Sequence, residues 1–340
     1  MPTTAAEIVF AHRAGRPIAE TIAETFSRFE AHADPALFLS VRPLAAAERL
    51  QAGGPEGKPL WGVPFVIKDN IDVAGLPTTA ACPAFAYNPA RSAHVVERPE
   101  AAGAIPLAKT NLDQFATGLV GVRPPYGVPR NALDPALIPG GSSSGSATAV
   151  GAGLVPFSLG TDTAGSGRVP AALNGIVGLE PSLGALSARG LVPACRTLDT
   201  ISIFALDVAD AFAAFSAACG YDEADPYSRR FPAPVMSSAP PHARLAVPRA
   251  DQLEFFGDAL SARAFEADLA RLRELGFSVE EIDFAPFAAT ARLLYEGPWV
   301  AERYAATKPL IVENPGALHP VTCAILESAT KFDAVATFEA

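Results

Sequence analysis

The sequence predicts an α/β protein whose mixed, mostly parallel sheet is covered by helices on both faces. Short apolar runs of strand length alternate with longer stretches of helical period through most of the chain, the pattern that parallel strands joined by helices require. With 340 residues, 49% of them hydrophobic and 18% charged, the chain has enough apolar material for a large core. Its centre is the stretch 139–170, PGGSSSGSATAVGAGLVPFSLGTDTAGSGRVP, where two Gly/Ser clusters bracket an apolar segment.

Residues 5–13 and 17–33 place apolar side chains at helical spacing, Ile8 and Val9 in the first and Ile18, Ile22, Phe26 and Phe29 in the second; Pro17 suits a first turn. Residues 36–41 suit a buried strand, and 43–52 a helix that stops at Gly53 and Gly54. Val63, Phe65 and Ile67 alternate ahead of Lys68, so a strand delivers a lysine at its end, where Asp69 and Asn70 begin a turn. Residues 71–89 read as a long loop, 92–103 as a helix interrupted by Pro99, and 104–108 as a strand. A loop stiffened by five prolines, 122–139, leads into the Gly/Ser stretch, where 146–153 suits a helix, 154–159 a strand and 167–173 a short helix. Further strands are expected at 176–179, 244–247 and 278–282, and helices at 207–219 and 261–275. Over 321–340 an amphipathic helical pattern stops without a cap. The expectation is one domain, 1–340, incomplete at its C-terminus and with no separate C-terminal domain.

Composition excludes several function classes. The formal charge of −10, without a basic run, leaves no footprint for nucleic acid and disfavours acidic membranes. No run of about 18 apolar residues and no secretory leader is visible, so a soluble, unprocessed chain is expected. Cys82, Cys195, Cys219 and Cys323 are widely spaced with no CxxC pair, which argues against zinc and against a disulfide framework and points to a reducing cytoplasm.

A serine nucleophile needs a base. The five histidines, His12, His32, His94, His242 and His319, all lie outside the Gly/Ser stretch. Residues 141–145 match G-x-S-x-G around Ser143, yet a proline-rich loop precedes them where a nucleophile elbow needs a strand. Lysine can replace histidine when burial leaves it neutral, and Lys68, between an apolar strand and a polar turn, is the candidate. On these residues alone, a surface lysine and two flexible loops remain open.

GGSSSGSA, LGTDTAGSGRVPAALNGIVGL and WGVPFVIKDNID together resemble the amidase signature family, in its order and spacing over most of residues 60–199. The resemblance implies the amidase signature fold and a Ser, cis-Ser, Lys triad: Ser166 as nucleophile, Ser142 after a cis bond from Gly141 as the bridge, and Lys68 as the base. It further implies that the backbone N–H groups of Thr163, Ala164, Gly165 and Ser166 face the oxyanion. Ser143 and Ser144 are expected to hydrogen-bond the loop, and Asp162 can pair with Arg168. Three departures stand out: Glu180 where the family has lysine, Pro99 inside a helix, and Ala108 for glycine.

AGLPTTAACPAFAY, KTNLDQFATGLVGVRPPYGVPRN, RGLVPACRTLDTISIFA and YEGPWVAERY are similar to the subgroup that hydrolyses allophanate (N-carboxyurea) at its terminal amide, releasing ammonia in urea and s-triazine nitrogen degradation. From that resemblance Tyr295, Arg303 and Gly141 take substrate-binding roles. Gly297 and Pro298 suit a helix start, which puts Tyr295 just before the helix and Arg303 one to two turns inside it. A guanidinium fits a carboxylate by two-point contact, and allophanate carries one. The resemblance implies a small-molecule substrate, no metal, no organic cofactor, and compatibility with a homodimer. Two alternatives stay open: another amidase of the same fold, including the type that acts on charged tRNA, and a non-catalytic anion-binding protein using its Gly-rich loops as a nest.

Overall fold

The computed structural model describes residues 3–48, 54–237 and 243–340. The apolar runs become strands β1 (Phe38–Val41), β2 (Pro64–Lys68), β3 (Ile105–Thr110), β4 (Phe157–Asp162), β5 (Val177–Leu179) and β6 (Thr200–Ala205). They form one sheet in the order β1-β3-β2-β4-β6-β5. β3, β2 and β4 are parallel to one another; β1 runs antiparallel to β3, and β6 antiparallel to both β4 and β5. Four of the six strands therefore share a direction, as the alternation of strand and helix predicts. β2, β3, β4 and β6 are buried at every position, which explains why they read as near-continuous apolar runs.

The helices of this unit are α1 (Ala5–Arg13), α2 (Ile18–His32), α3 (Leu44–Glu48), α4 (His94–Ala101), α5 (Ser144–Gly151), α6 (Val169–Leu173) and α7 (Val208–Ala218). Alternate residues of β2 point to opposite faces. Phe65 and Ile67 join a cluster with Ile8 of α1, Val95 of α4 and Ala211 and Ala214 of α7. Val66 joins the opposite cluster with Ala147 and Val150 of α5, Leu37 and Phe204. Helices thus cover both faces.

The chain divides into two compact units: the first runs through Pro234 and takes in Val300–Phe332, and the second comprises Val235–Trp299 and Asp333–Ala340. The first therefore also holds α10 (Val300–Glu313) and α11 (Pro320–Glu327). The second holds a parallel pair, β7 (Arg244–Pro248) and β8 (Ser278–Ile282), linked through α8 (Ala259–Glu274), together with α9 (Ala285–Arg292) and α12 (Ala334–Glu339). Asp258 caps α8 by accepting from the N–H groups of Leu260 and Ser261.

Several elements differ from expectation for identifiable reasons. β4 starts at Phe157 rather than at residue 154, because Pro156 has no N–H to give the ladder, and it runs on to Asp162, which pairs with Thr200. β6 and α9 were not foreseen; β6 lies in an apolar run inside a stretch notable chiefly for its motif. The pattern over 321–340 divides into α11, a 3-10 turn at Ser328–Lys331 and α12, because the Asp333 carboxylate accepts from Ala336 N–H and starts a new helix. Pro99 is accommodated, buried, in the eight-residue α4. The expected stop of α3 at Gly53 lies outside the described residues, as does His242.

The rings of Phe65 and Phe157 stack at 4.9 Å between β2 and β4, both fully buried. Phe65→Ala is expected to lower unfolding free energy by about 3–5 kcal/mol in a urea titration. An unchanged midpoint would contradict this placement of the core.

Candidate active site

Lys68 ends β2, a central strand flanked by β3 and β4, and its side chain is fully buried. Pairing of Ile67 with Leu159 brings the end of β4 alongside. The Lys68 side-chain nitrogen sits 2.7 Å from Ser142 Oγ and 2.7 Å from Thr161 Oγ1. Burial pushes its pKa down from 10.5 to about 7, against the pull of Asp113, Asp162 and Asp199, while the positive charge of Arg303 reinforces the decrease. The next residue, Asp69, pairs with buried Lys109 at 3.1 Å and accepts from the Thr79 N–H at 3.0 Å. Lys109 also donates to Thr78 Oγ1 at 3.0 Å and Pro77 O at 3.2 Å, so the turn beyond the lysine is tied down.

The first Gly/Ser loop meets Lys68 through Ser142. Its Gly141–Ser142 peptide is cis, as the resemblance implies. A Cβ at Gly141 would lie 2.1 Å from Asp113 Oδ2, so only glycine fits, and its N–H donates to Leu119 O at 2.9 Å. Asp113 N–H holds Ser142 O at 3.0 Å. Ser143 Oγ donates to Thr161 O at 3.1 Å and Ser144 Oγ to Asn111 O at 3.5 Å. These two serines brace the loop, as expected, and Ser143 is not presented as an elbow nucleophile.

The second loop leaves β4 at Asp162, whose buried carboxylate organises it. Asp162 accepts from Gly165 N–H at 2.5 Å, Gly167 N–H at 2.9 Å, and Arg168 Nε and Nη2 at 3.0 Å each. Burial alone would raise its pKa, but the Arg168 guanidinium and the Gly167 amide outweigh that and hold it below the ordinary value. Arg168 also meets Glu180 at 2.8 Å, and Glu180 accepts from Thr200 Oγ1 at 3.1 Å, so the carboxylate that departs from the family pattern closes a charge network on this loop. Ser166, between the two glycines, is buried. Gly165 N–H is spent on Asp162, which differs from its expected oxyanion role. Thr163 Oγ1 donates to Asp199 Oδ1 at 2.5 Å, and Asp199 also accepts from the N–H groups of Ala194 and Cys195.

Arg303 lies in the first turn of α10, since the helix starts at Val300 rather than at Pro298. It is fully buried, and Nη1 donates to Ala116 O at 3.3 Å and Thr117 Oγ1 at 3.2 Å. Lys68, Ser142, Ser166 and Arg303 thus belong to the first unit, whereas half-buried Tyr295 belongs to the second. Sequence reasoning missed Thr161, Asp113 and Asp199. Thr161 lies beyond the expected strand end at 159, and the strand order that puts it beside the lysine is not written in the sequence. Among the described residues no cluster of three His, Cys, Asp or Glu side chains is placed to hold a metal ion, and no helix is long and apolar enough to cross a membrane.

A fully buried lysine in contact with a serine of a Gly/Ser loop fits the class of amidases. Residues 20–331 match the family Amidase, and the chain belongs to it. It is 49% identical over 283 residues to a urea amidolyase of Lachancea kluyveri, covering 82% of this chain and 15% of that protein. The solved allophanate hydrolase of Kluyveromyces lactis superposes with a TM-score of 0.93 at 41% identity, over 99% of this chain and 56% of that one. The A-type subunit of the glutamyl-tRNA(Gln) amidotransferase of Symbiobacterium thermophilum is 40% identical over 282 residues, covering 79% of this chain and 58% of that protein. The chain thus spans only part of the length of each.

Because Lys68 is neutral more readily when folded than the ordinary lysine at 10.5, the unfolded chain binds the extra proton between pH 7 and 10.5. Stability should therefore rise with pH across that window, with a slope from this group approaching about 1.4 kcal/mol per pH unit. Lys68→Met should remove that slope and be the more stable form at pH 7 and below, read from paired urea titrations. Parallel pH profiles for the two proteins would show Lys68 to be an ordinary ammonium.

Proposed function

We propose that this chain hydrolyses allophanate at its terminal amide, releasing ammonia and leaving N-carboxycarbamate. The observation that carries the reading is the 2.7 Å contact between a fully buried lysine, with its pKa lowered to about 7, and Ser142 Oγ. A neutral amine there accepts a proton at working pH, which an ordinary lysine does not.

In this reading Ser166 Oγ attacks the amide carbonyl, and its proton passes through the Ser142 hydroxyl to Lys68 Nζ. The same chain returns the proton to the leaving nitrogen, which departs as ammonia. Water, deprotonated by the same relay, then cleaves the acyl-Ser166 ester and restores the hydroxyl. The developing oxyanion is assigned to the N–H groups of Thr163, Ala164 and Ser166, since Gly165 N–H donates to Asp162. At Gly141 only the carbonyl is assigned to substrate, because the N–H goes to Leu119 O.

Arg303 is assigned to the substrate carboxylate; the substrate-binding role expected of Tyr295 is carried by the resemblance alone. A guanidinium fits a carboxylate by directional two-point contact, and Arg303 is the residue to which the resemblance gives that role. That separates allophanate from neutral amides and favours it over the tRNA-linked alternative, in keeping with a chain of net charge −10. Free thiols at all four cysteines fit a reducing, cytoplasmic setting.

Ser166→Ala should abolish ammonia release, and Ser142→Ala should lower kcat by about 10²–10⁴-fold. Arg303→Ala should raise KM for allophanate about 10–100-fold, the worth of a charge-assisted hydrogen bond, with a much smaller change for biuret, its uncharged counterpart. Preference of the unaltered protein for biuret would sink the assignment of Arg303, and full activity of the Ser166 variant would leave an anion-binding protein as the better reading.

A further inference from the structure

The residue beside the proposed carboxylate ligand is itself a carboxylate with no part in the chemistry above. Glu302, in the first turn of α10, accepts through Oε2 from the Thr197 N–H at 2.9 Å and through Oε1 from the Thr197 hydroxyl at 2.9 Å. Its Oε2 also lies 3.3 Å from Cys195 Sγ. The Cys195 thiol is buried, and burial, together with the charges of Glu302 and Asp199, pushes its pKa up to about 12. It therefore remains an S–H donor to Glu302 at any working pH. One carboxylate takes three donors from a single short loop, 195–197.

That loop is fixed in turn to the second Gly/Ser loop. The N–H groups of Ala194 and Cys195 both donate to Asp199, which also takes the Thr163 hydroxyl. Consecutive helical residues point about 100° apart, so Glu302 and Arg303 hold the same helical turn from two sides. Glu302 faces the loop 195–197, while Arg303 reaches Ala116 and Thr117. One turn further, Thr307 Oγ1 donates to Arg303 O at 2.9 Å. The turn of helix that carries the guanidinium is thus referenced through Glu302 to a loop bonded to the one that holds the nucleophile.

We propose that Glu302 is a positioning residue for substrate recognition: by binding Thr197 and Cys195 it sets the rotation and depth of α10, and so aims Arg303 at the substrate carboxylate. The inference rests on the recognition role given to Arg303 above. Two-point guanidinium contacts are directional, and small displacements of a positioning group are expensive in affinity. Because Glu302 acts through Arg303, its loss should be felt by a carboxylated substrate and far less by a neutral one of the same shape.

The test is steady-state kinetics of the intact protein on allophanate and biuret, comparing Glu302→Ala, Glu302→Gln, Thr197→Val and Arg303→Ala with the unaltered chain. Glu302→Ala should lower the allophanate-to-biuret ratio of kcat/KM about tenfold, mainly through KM for allophanate. Glu302→Gln keeps an acceptor for Thr197 and should recover most of that ratio. Thr197→Val removes one of the three bonds and should lower it about threefold, which keeps the proposal testable if the alanine variant does not fold. An unchanged ratio in both the Glu302→Ala and Thr197→Val proteins, or an equal loss of kcat on both substrates, would overturn the proposal. Arg303→Ala separates the two layers. If it leaves the ratio unchanged, the recognition reading itself fails; if it collapses the ratio while the Glu302 variants do not, only the positioning role fails.

Discussion

A lysine amine buried without a carboxylate in hydrogen-bond contact is the constraint on which the rest of this site depends. Taking an ammonium out of water is unfavourable enough to lower the lysine's proton affinity steeply, and here the contacts to the nitrogen come from two neutral hydroxyls, Ser142 and Thr161. Three carboxylates lie near enough to act on Lys68 through space, yet each is occupied elsewhere. Asp113 accepts from the Gly121 and Arg123 amides, Asp162 from its own loop and Arg168, and Asp199 from Thr163, Ala194 and Cys195. Their charge moderates the depression without cancelling it. Lys109, equally buried in the neighbouring strand, also has its pKa pushed down by burial, but it bonds Asp69 directly and braces the turn.

Sheet topology supplies the burial. β2 has a strand on either side and a hydrophobic cluster on each face, so its last residue emerges into protein rather than water. Both Gly/Ser loops then leave from elements neighbouring that end. Close approach is possible because side chains are missing where backbones meet: a Cβ at Gly167 would lie 2.2 Å from Ser202 Oγ, and one at Gly141 would strike Asp113. The missing side chains let the two loops pack against their neighbours, with Ser142 brought to 2.7 Å from Lys68.

Much of this was legible in the residues. The alternation of Val63, Phe65 and Ile67 placed Lys68 at a strand end, and the two Gly/Ser clusters marked loops that had to pack closely. What could not be read was contact between distant segments. Thr161, Asp113 and Asp199 reach the lysine from three different parts of the chain, and no periodicity reports such convergence. Gly165 illustrates the same gap: the motif fixed its position, but only the neighbouring Asp162 carboxylate decides where its N–H points. Boundaries shifted where a single residue overrode the pattern, Pro156 at the start of β4 and Asp333 between α11 and α12. Arg303 was assigned through resemblance, and its burial in the first turn of α10, next to a carboxylate anchored on Thr197, emerged only from the packing.

The central claim is that Lys68 loses its proton far below the ordinary lysine range, so that a neutral amine is present near pH 7. Titration of lysine side chains labelled with ¹³C at Cε, with the Lys68 resonance assigned by its absence from a Lys68→Met protein, measures this directly. The account predicts a midpoint near 7 for Lys68, well below the ordinary lysine value of 10.5. A Lys68 midpoint at that ordinary value would contradict it, because a permanently charged ammonium could not accept a proton in the proposed relay through Ser142.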